Sequence, residues 1–87
     1  MIVWAKVWCD THLIKDKTVE INDESLNRTR KIFKAIEQIC YDYNLSKPVW
    51  LDKNIDEFKC RSKTRFSQDN FIESIDFDYL EIIVLEE

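Results

Sequence analysis

Apolar and polar side chains alternate at both ends of the chain, whereas the middle repeats at three- and four-residue steps; two strand-forming ends therefore enclose a helix-forming centre. In residues 2–8, Val3, Ala5 and Val7 occupy one face and Ile2, Trp4, Lys6 and Trp8 the other. After a polar turn from Cys9 to His12, residues 13–21 alternate again, with Leu13, Lys15, Lys17, Val19 and Ile21 opposed to Ile14, Asp16, Thr18 and Glu20. This is the pattern of a half-exposed hairpin partner. At the other end, residues 76–85 set Leu80, Ile82 and Val84 against Phe77, Tyr79, Glu81, Ile83 and Leu85, which predicts a final strand.

Between them, Asn22 and Asp23 are good caps and Glu24 suits the positive end of a helix dipole, so a long helix is expected from there to Asn44 or Leu45. Leu26, Phe33, Ile36, Cys40 and Tyr43, widened by Ile32 and Ile39, form its core stripe. Pro48 bars continuation past Lys47. Residues 48–51, Pro-Val-Trp-Leu, read as buried, and Asp52 as the cap of a short helix through Ile55, Phe58 and Lys59. Cys60 to Ile75 show no clear period.

Eighty-seven residues support one hydrophobic core and no second, so residues 1–87 form a single domain. A hydrophobic fraction of 45% is ample for that core despite 34% charged residues. The expected fold class is α+β: a small antiparallel sheet, made of the hairpin plus the C-terminal strand, packed on one long helix, with an additional short helix. The small face of the first strand and the aliphatic face of the last both pack under the long helix. A second face remains, carrying Trp4, Trp8, Tyr79 and Ile83 around a Lys6 and Glu81 cross-strand pair. Two tryptophans there exceed what a monomer usually exposes, so either residues 48–75 or a partner should cover them.

The chain contains no glycine, which excludes the phosphate-cradling loops of the common nucleotide-binding enzymes, because these need close backbone approach and positive φ. Three widely spread cysteines, Cys9, Cys40 and Cys60, lack any CxxC pair and suit a reducing cytoplasm. Lys6, Asp10 and His12 interrupt any secretory h-region, and no apolar run reaches the length of a membrane span.

Metal and catalytic motifs are weak. Cys9, Asp10 and His12 fall short of a four-ligand zinc set, and His12 is the only histidine available as a neutral-pH base. Asp52-Lys53-Asn54-Ile55-Asp56 copies the start of a calcium loop but fails at Glu57 and Lys63, and Asp76 with Asp78 is a cheap pairing in an acid-rich chain. No catalytic residue, metal or cofactor is therefore assigned.

Charge is unevenly distributed: residues 1–66 hold all 13 basic residues against 10 acids, and residues 67–87 hold 7 acids and no base. The acidic end is expected to lie beside the basic middle of the same fold. Lys59, Arg61, Lys63 and Arg65 would form one cationic row if extended, with Phe66 or Trp50 available for base stacking, and Arg28, Arg30, Lys31 and Lys34 form a second cluster on the long helix. The net charge of −4 weighs against a nucleic-acid partner.

At Lys47-Pro-Val-Trp-Leu-Asp-Lys-Asn54, Lys63-Thr-Arg-Phe66 with Asp69-Asn-Phe71, and Phe77-Asp-Tyr-Leu-Glu-Ile82, the chain resembles a group of short uncharacterised bacterial proteins. Met1 to Trp8 and Ile39 to Tyr43 fit the same group. The resemblance implies a bacterial cytoplasmic protein and transfers no functional residues. The expectation is a non-enzymatic protein-interaction module, with self-association into a homodimer as one form and no membrane partner. Its contact residues would be Trp4, Trp8, Trp50 and Tyr79. The alternative is nucleic-acid binding through Lys59, Arg61, Lys63 and Arg65.

Overall fold

A computed structural model describes all 87 residues. Its strands are β1 (Ile2–Cys9), β2 (His12–Glu20), β3 (Lys63–Phe66) and β4 (Tyr79–Glu86), in the antiparallel order β2-β1-β4-β3. Two helices, α1 (Arg28–Asp42) and α2 (Asp52–Arg61), complete the α+β architecture, with a single 3-10 turn at Gln68–Asn70. None of the helices is long and apolar enough to cross a membrane.

The two alternating ends meet at the centre of the sheet. Val3, Ala5 and Val7 pair across β1 and β4 with Val84, Ile82 and Leu80, so their small and aliphatic faces merge into one apolar surface. Ile32, Ala35, Ile36, Ile39 and Cys40 of α1 close over it, joined by Phe58 and Phe66. Each fully buried large aliphatic side chain in this layer contributes about 1.5–3 kcal/mol.

The hairpin turn is made without glycine. Asp10 and Thr11 both have positive φ, 52° and 64°, which is the geometry of a two-residue type I′ connection. A bulge at Val7/Trp8 then shifts the β2 register, so that Val7 pairs with Lys15 but Trp8 with Leu13. This reverses the expected phase at the start of β2. Leu13 joins Trp8, and Ile14 turns toward a cleft shared with Val7 and Tyr43.

The long helix is shorter than its sequence pattern suggests. The Asp23 carboxylate accepts hydrogen bonds from the Ser25 backbone and hydroxyl, closing a local turn that stops Asp23 from serving as the helix cap. These bonds hold the Asp23 carboxyl below its ordinary range. Asn27 caps α1 instead, its side-chain oxygen accepting from Arg30 N–H at 2.9 Å. At the far end Asn44 adopts φ 57°, and Leu45 N–H donates to Cys40 O at 2.7 Å. This Schellman closure ends α1 well before Pro48. Phe33, expected in the core stripe, is 49% exposed, because the apolar surface of α1 centres on Ile32, Ile36 and Ile39.

Residues 46–71 are organised by a buried amide network. The Asn54 side chain donates to Thr64 Oγ1 and Arg65 O, both at 2.9 Å, and its oxygen accepts from Leu51 N–H and from Asn70 Nδ2. Asn70 also donates to Val49 O, and Thr64 Oγ1 donates to Glu57. Asn54 and Asn70 are both fully buried, and this satisfied network ties the loop before α2, α2 itself, β3 and the 3-10 turn into one unit. Asn54, rather than the expected Asp52, thus secures the start of α2. Of the Pro48–Leu51 stretch expected to be buried, only Pro48 is; Trp50 and Leu51 are half-buried and Val49 is exposed.

Candidate functional site: the open face of the sheet

Both helices lie on the aliphatic side of the sheet, and the opposite side carries no covering element. Between Trp4 and Trp8, register places three rows of side chains across this open face. One row runs Thr18, Trp4, Ile83, Lys63. The next runs Asp16, Lys6, Glu81, Arg65, one residue from each strand, with charges alternating in sign. The third contains Leu13, Trp8 and Tyr79. A charge-neutral row is therefore flanked on both sides by aromatic and aliphatic groups.

The rings and charges hold one another in place. Trp4 Nε1 donates to Asp16 Oδ2 at 2.9 Å, and Trp8 Nε1 donates to Glu81 Oε1 at 3.3 Å. Arg65 Nε donates to the other Glu81 oxygen at 3.2 Å, while its guanidinium lies 4.6 Å from the Tyr79 ring centroid. Trp8 and Tyr79 sit 6.3 Å apart. The expected Lys6 and Glu81 pair is correct in register, but their charges do not meet as an ion pair. Lys6 Nζ lies 3.7 Å above the Trp4 ring and 5.6 Å from that of Trp8, a cation–π arrangement, and Glu81 takes Arg65 instead. Glu81 is consequently only 7% exposed on a face open to solvent. Trp4, Trp8, Tyr79 and Ile83 are all half-buried by these neighbours.

Comparison of the chain with protein-family models, curated proteins and solved structures finds no match in any of the three.

The other sequence-derived candidates fall elsewhere. Trp50, expected beside Trp4 and Trp8, packs edge-on against Phe33, Phe58 and Phe66, on the helix side of the sheet. It is a core-edge residue because Phe66 pairs with Leu80 and shares its inward face. Nor do residues 48–75 cover the tryptophans; they extend the sheet by β3 and the helical layer by α2. The cationic row also dissolves, since Lys59 and Arg61 belong to α2 and only Lys63 and Arg65 to β3. A left-handed Ser62, φ 55°, separates the two pairs. The acidic end does lie beside basic residues of the same fold: Glu81 pairs with Arg65, and Glu87 with Arg28.

Asp76 and Asp78 precede β4 rather than projecting from one of its faces. Cys9, Asp10 and Asp78 bring their side chains within 4.8 Å of one another, without His12. Burial raises the Cys9 thiol pKa, and Asp10, Asp78 and Asp76 raise it further, so the metal-binding thiolate is disfavoured. Asp78 also already accepts from the Asp10 backbone N–H at 2.8 Å.

Alternation alone does not identify Asp16 and Leu13 as members of this face. Asp16 lies on the exposed side of an edge strand, where acidic residues are common. Leu13 was displaced by a bulge that the alternation did not reveal.

Proposed function

We propose that this chain is a non-enzymatic protein-interaction module of the bacterial cytoplasm, using the open sheet face around Trp4, Trp8 and Tyr79 as its contact surface. The observation carrying this reading is the uncovered face itself, on which two tryptophans and a tyrosine are interleaved with Asp16, Lys6, Glu81 and Arg65. Tryptophan, tyrosine and arginine supply most of the binding energy at protein interfaces, and here their side chains are already fixed by hydrogen bonds and ring contacts. Three free cysteines are in keeping with a reducing compartment.

Nucleic-acid binding through Lys59, Arg61, Lys63 and Arg65 has less support, because the two pairs diverge and Arg65 is engaged by Glu81. The discriminating experiment is capture of partners from bacterial lysate by tagged wild type, Trp4→Ala and Trp8→Ala, with and without nuclease, beside their oligomeric states. A nuclease-resistant partner or self-association lost in the folded variants supports the module. Retention of both in both variants refutes it, and capture abolished by nuclease favours the alternative.

A further inference from the structure

We infer that the occupant of the open face is a second copy of this chain, related by a twofold axis that runs parallel to the strands between β1 and β4. The inference rests on the reading of this face as an interface and adds the identity and orientation of what covers it.

The order of charges carries the argument. Such an axis reverses the strand order of the facing copy, so Asp16, Lys6, Glu81 and Arg65 meet Arg65, Glu81, Lys6 and Asp16 in turn. Every charge of that row then faces its opposite. The same operation lays Trp4 over Ile83 and Trp8 over Tyr79, and sets Thr18 against Lys63. A twofold axis perpendicular to the strands along the charged row would instead place each charge over its own counterpart. The alternating row therefore selects one self-complementary arrangement, as a closed symmetric dimer requires. It corresponds to aligned sheet packing, in which strand directions of the two layers stay within about 30°.

The sheet edges offer no easier route to association. β3 is a four-residue edge strand carrying Lys63 and Arg65, while β2 is bulged near its start and rich in charge. These features discourage edge-to-edge pairing. Four strands at a spacing of about 4.8 Å, with a central length of eight residues, span roughly 500 Å² per copy. The pair would bury roughly 1,000 Å², the low end for a specific interface, so the dimer should be reversible. A polyanion is a poorer occupant, because half the charged row is Asp16 and Glu81. Within the row, the outer Asp16 and Arg65 are exposed and hence best placed to meet across copies.

The test is sedimentation equilibrium from about 1 µM to about 1 mM, with folding checked by circular dichroism. Wild type should dimerise, and Asp16→Arg and Arg65→Asp should each weaken the dimer at least tenfold. An equimolar mixture of the two variants should recover heterodimers, because Arg at 16 then meets Asp at 65 and Arg65 meets Asp16. Thr18→Glu alters a side chain exposed to solvent and should tighten the wild-type dimer severalfold through Lys63 of the other copy. Monomeric wild type up to about 1 mM overturns the inference, as do single variants that dimerise normally or a mixture that does not associate. If monomeric wild type still captures a host protein and Trp8→Ala loses it, the second copy is refuted while the interaction module stands. If neither Trp4→Ala nor Trp8→Ala changes capture or oligomeric state, both fail.

Discussion

Trp8 and Tyr79 face each other across β1 and β4 with ring centroids 6.3 Å apart, on the side of the sheet that neither helix covers. Trp50, by contrast, meets Phe33, Phe58 and Phe66 at 6.0, 5.7 and 5.1 Å on the helix side. Tryptophans on the two sides of the sheet thus have different energetic roles. Trp8→Ala should lower unfolding free energy by about 1 kcal/mol, the scale of a cross-strand pair, whereas Trp50→Ala should cost about 3 kcal/mol. Urea titrations of the monomer followed by circular dichroism would show the difference; equal costs would contradict this division.

The Asn54 side chain joins α2 to three other segments, the loop before it, β3 and the 3-10 turn. Asn54→Ala would leave Leu51 N–H, Arg65 O, Thr64 Oγ1 and Asn70 Nδ2 each without a bond they now make. An unfolding cost of about 3 kcal/mol is expected, from more than one buried polar group losing its partner. Amide exchange should accelerate first in α2 and β3, and uniform acceleration across the sheet would count against the network's local role.

Thr11 holds a β-branched side chain at φ 64°, where steric crowding is severe. Thr11→Gly should stabilise the protein by about 0.5–1 kcal/mol, relief of strain outweighing the greater unfolded-state entropy of glycine. A rise in the thermal midpoint is the expected readout. A fall would mean that the threonine side chain contributes more than its backbone geometry costs.

Burial pushes the Cys40 thiol up to about 11 from an ordinary 9.0, with Glu73 adding to the effect. Because the folded-state value lies above the unfolded one, the resulting stability is fully present below about pH 9 and lost as pH rises toward 11. The loss should reach roughly 2 kcal/mol. Burial, Asp16 and Asp42 raise the Tyr43 hydroxyl pKa in the same direction. Cys40→Ala should therefore flatten, without abolishing, the alkaline decline in denaturant midpoint, and an unchanged slope would remove Cys40 as its cause. Iodoacetamide at pH 8 should modify the exposed Cys60 well before the buried Cys40.

How far the sequence reaches is clearest in β1 and β4. Val3, Ala5, Val7, Leu80 and Ile82 announced the core face by alternation, and Trp4, Trp8 and Tyr79 announced the opposite one, because successive strand residues point to opposite sides wherever the strand sits. Competition between local hydrogen bonds was less visible. Asp23 and Asn27 are comparable caps on paper, and the Ser25 contact leaves the role to Asn27. Residues 60–75 gave no period because their order comes from Asn54 and Asn70, whose partners lie up to 21 positions away.

By itself, then, the sequence determined that the chain has strand-forming ends, a helical centre, one core and an aromatic second face, all consequences of local periodicity and chain length. Only tertiary structure decided which residues share that face across strands. The strand order and the bulge at Val7/Trp8 bring Asp16, Lys6, Glu81 and Arg65 into one alternating row and set Leu13 beside Trp8. Register is fixed by pairing between segments far apart in the chain, and no local pattern of apolar and polar residues encodes it uniquely.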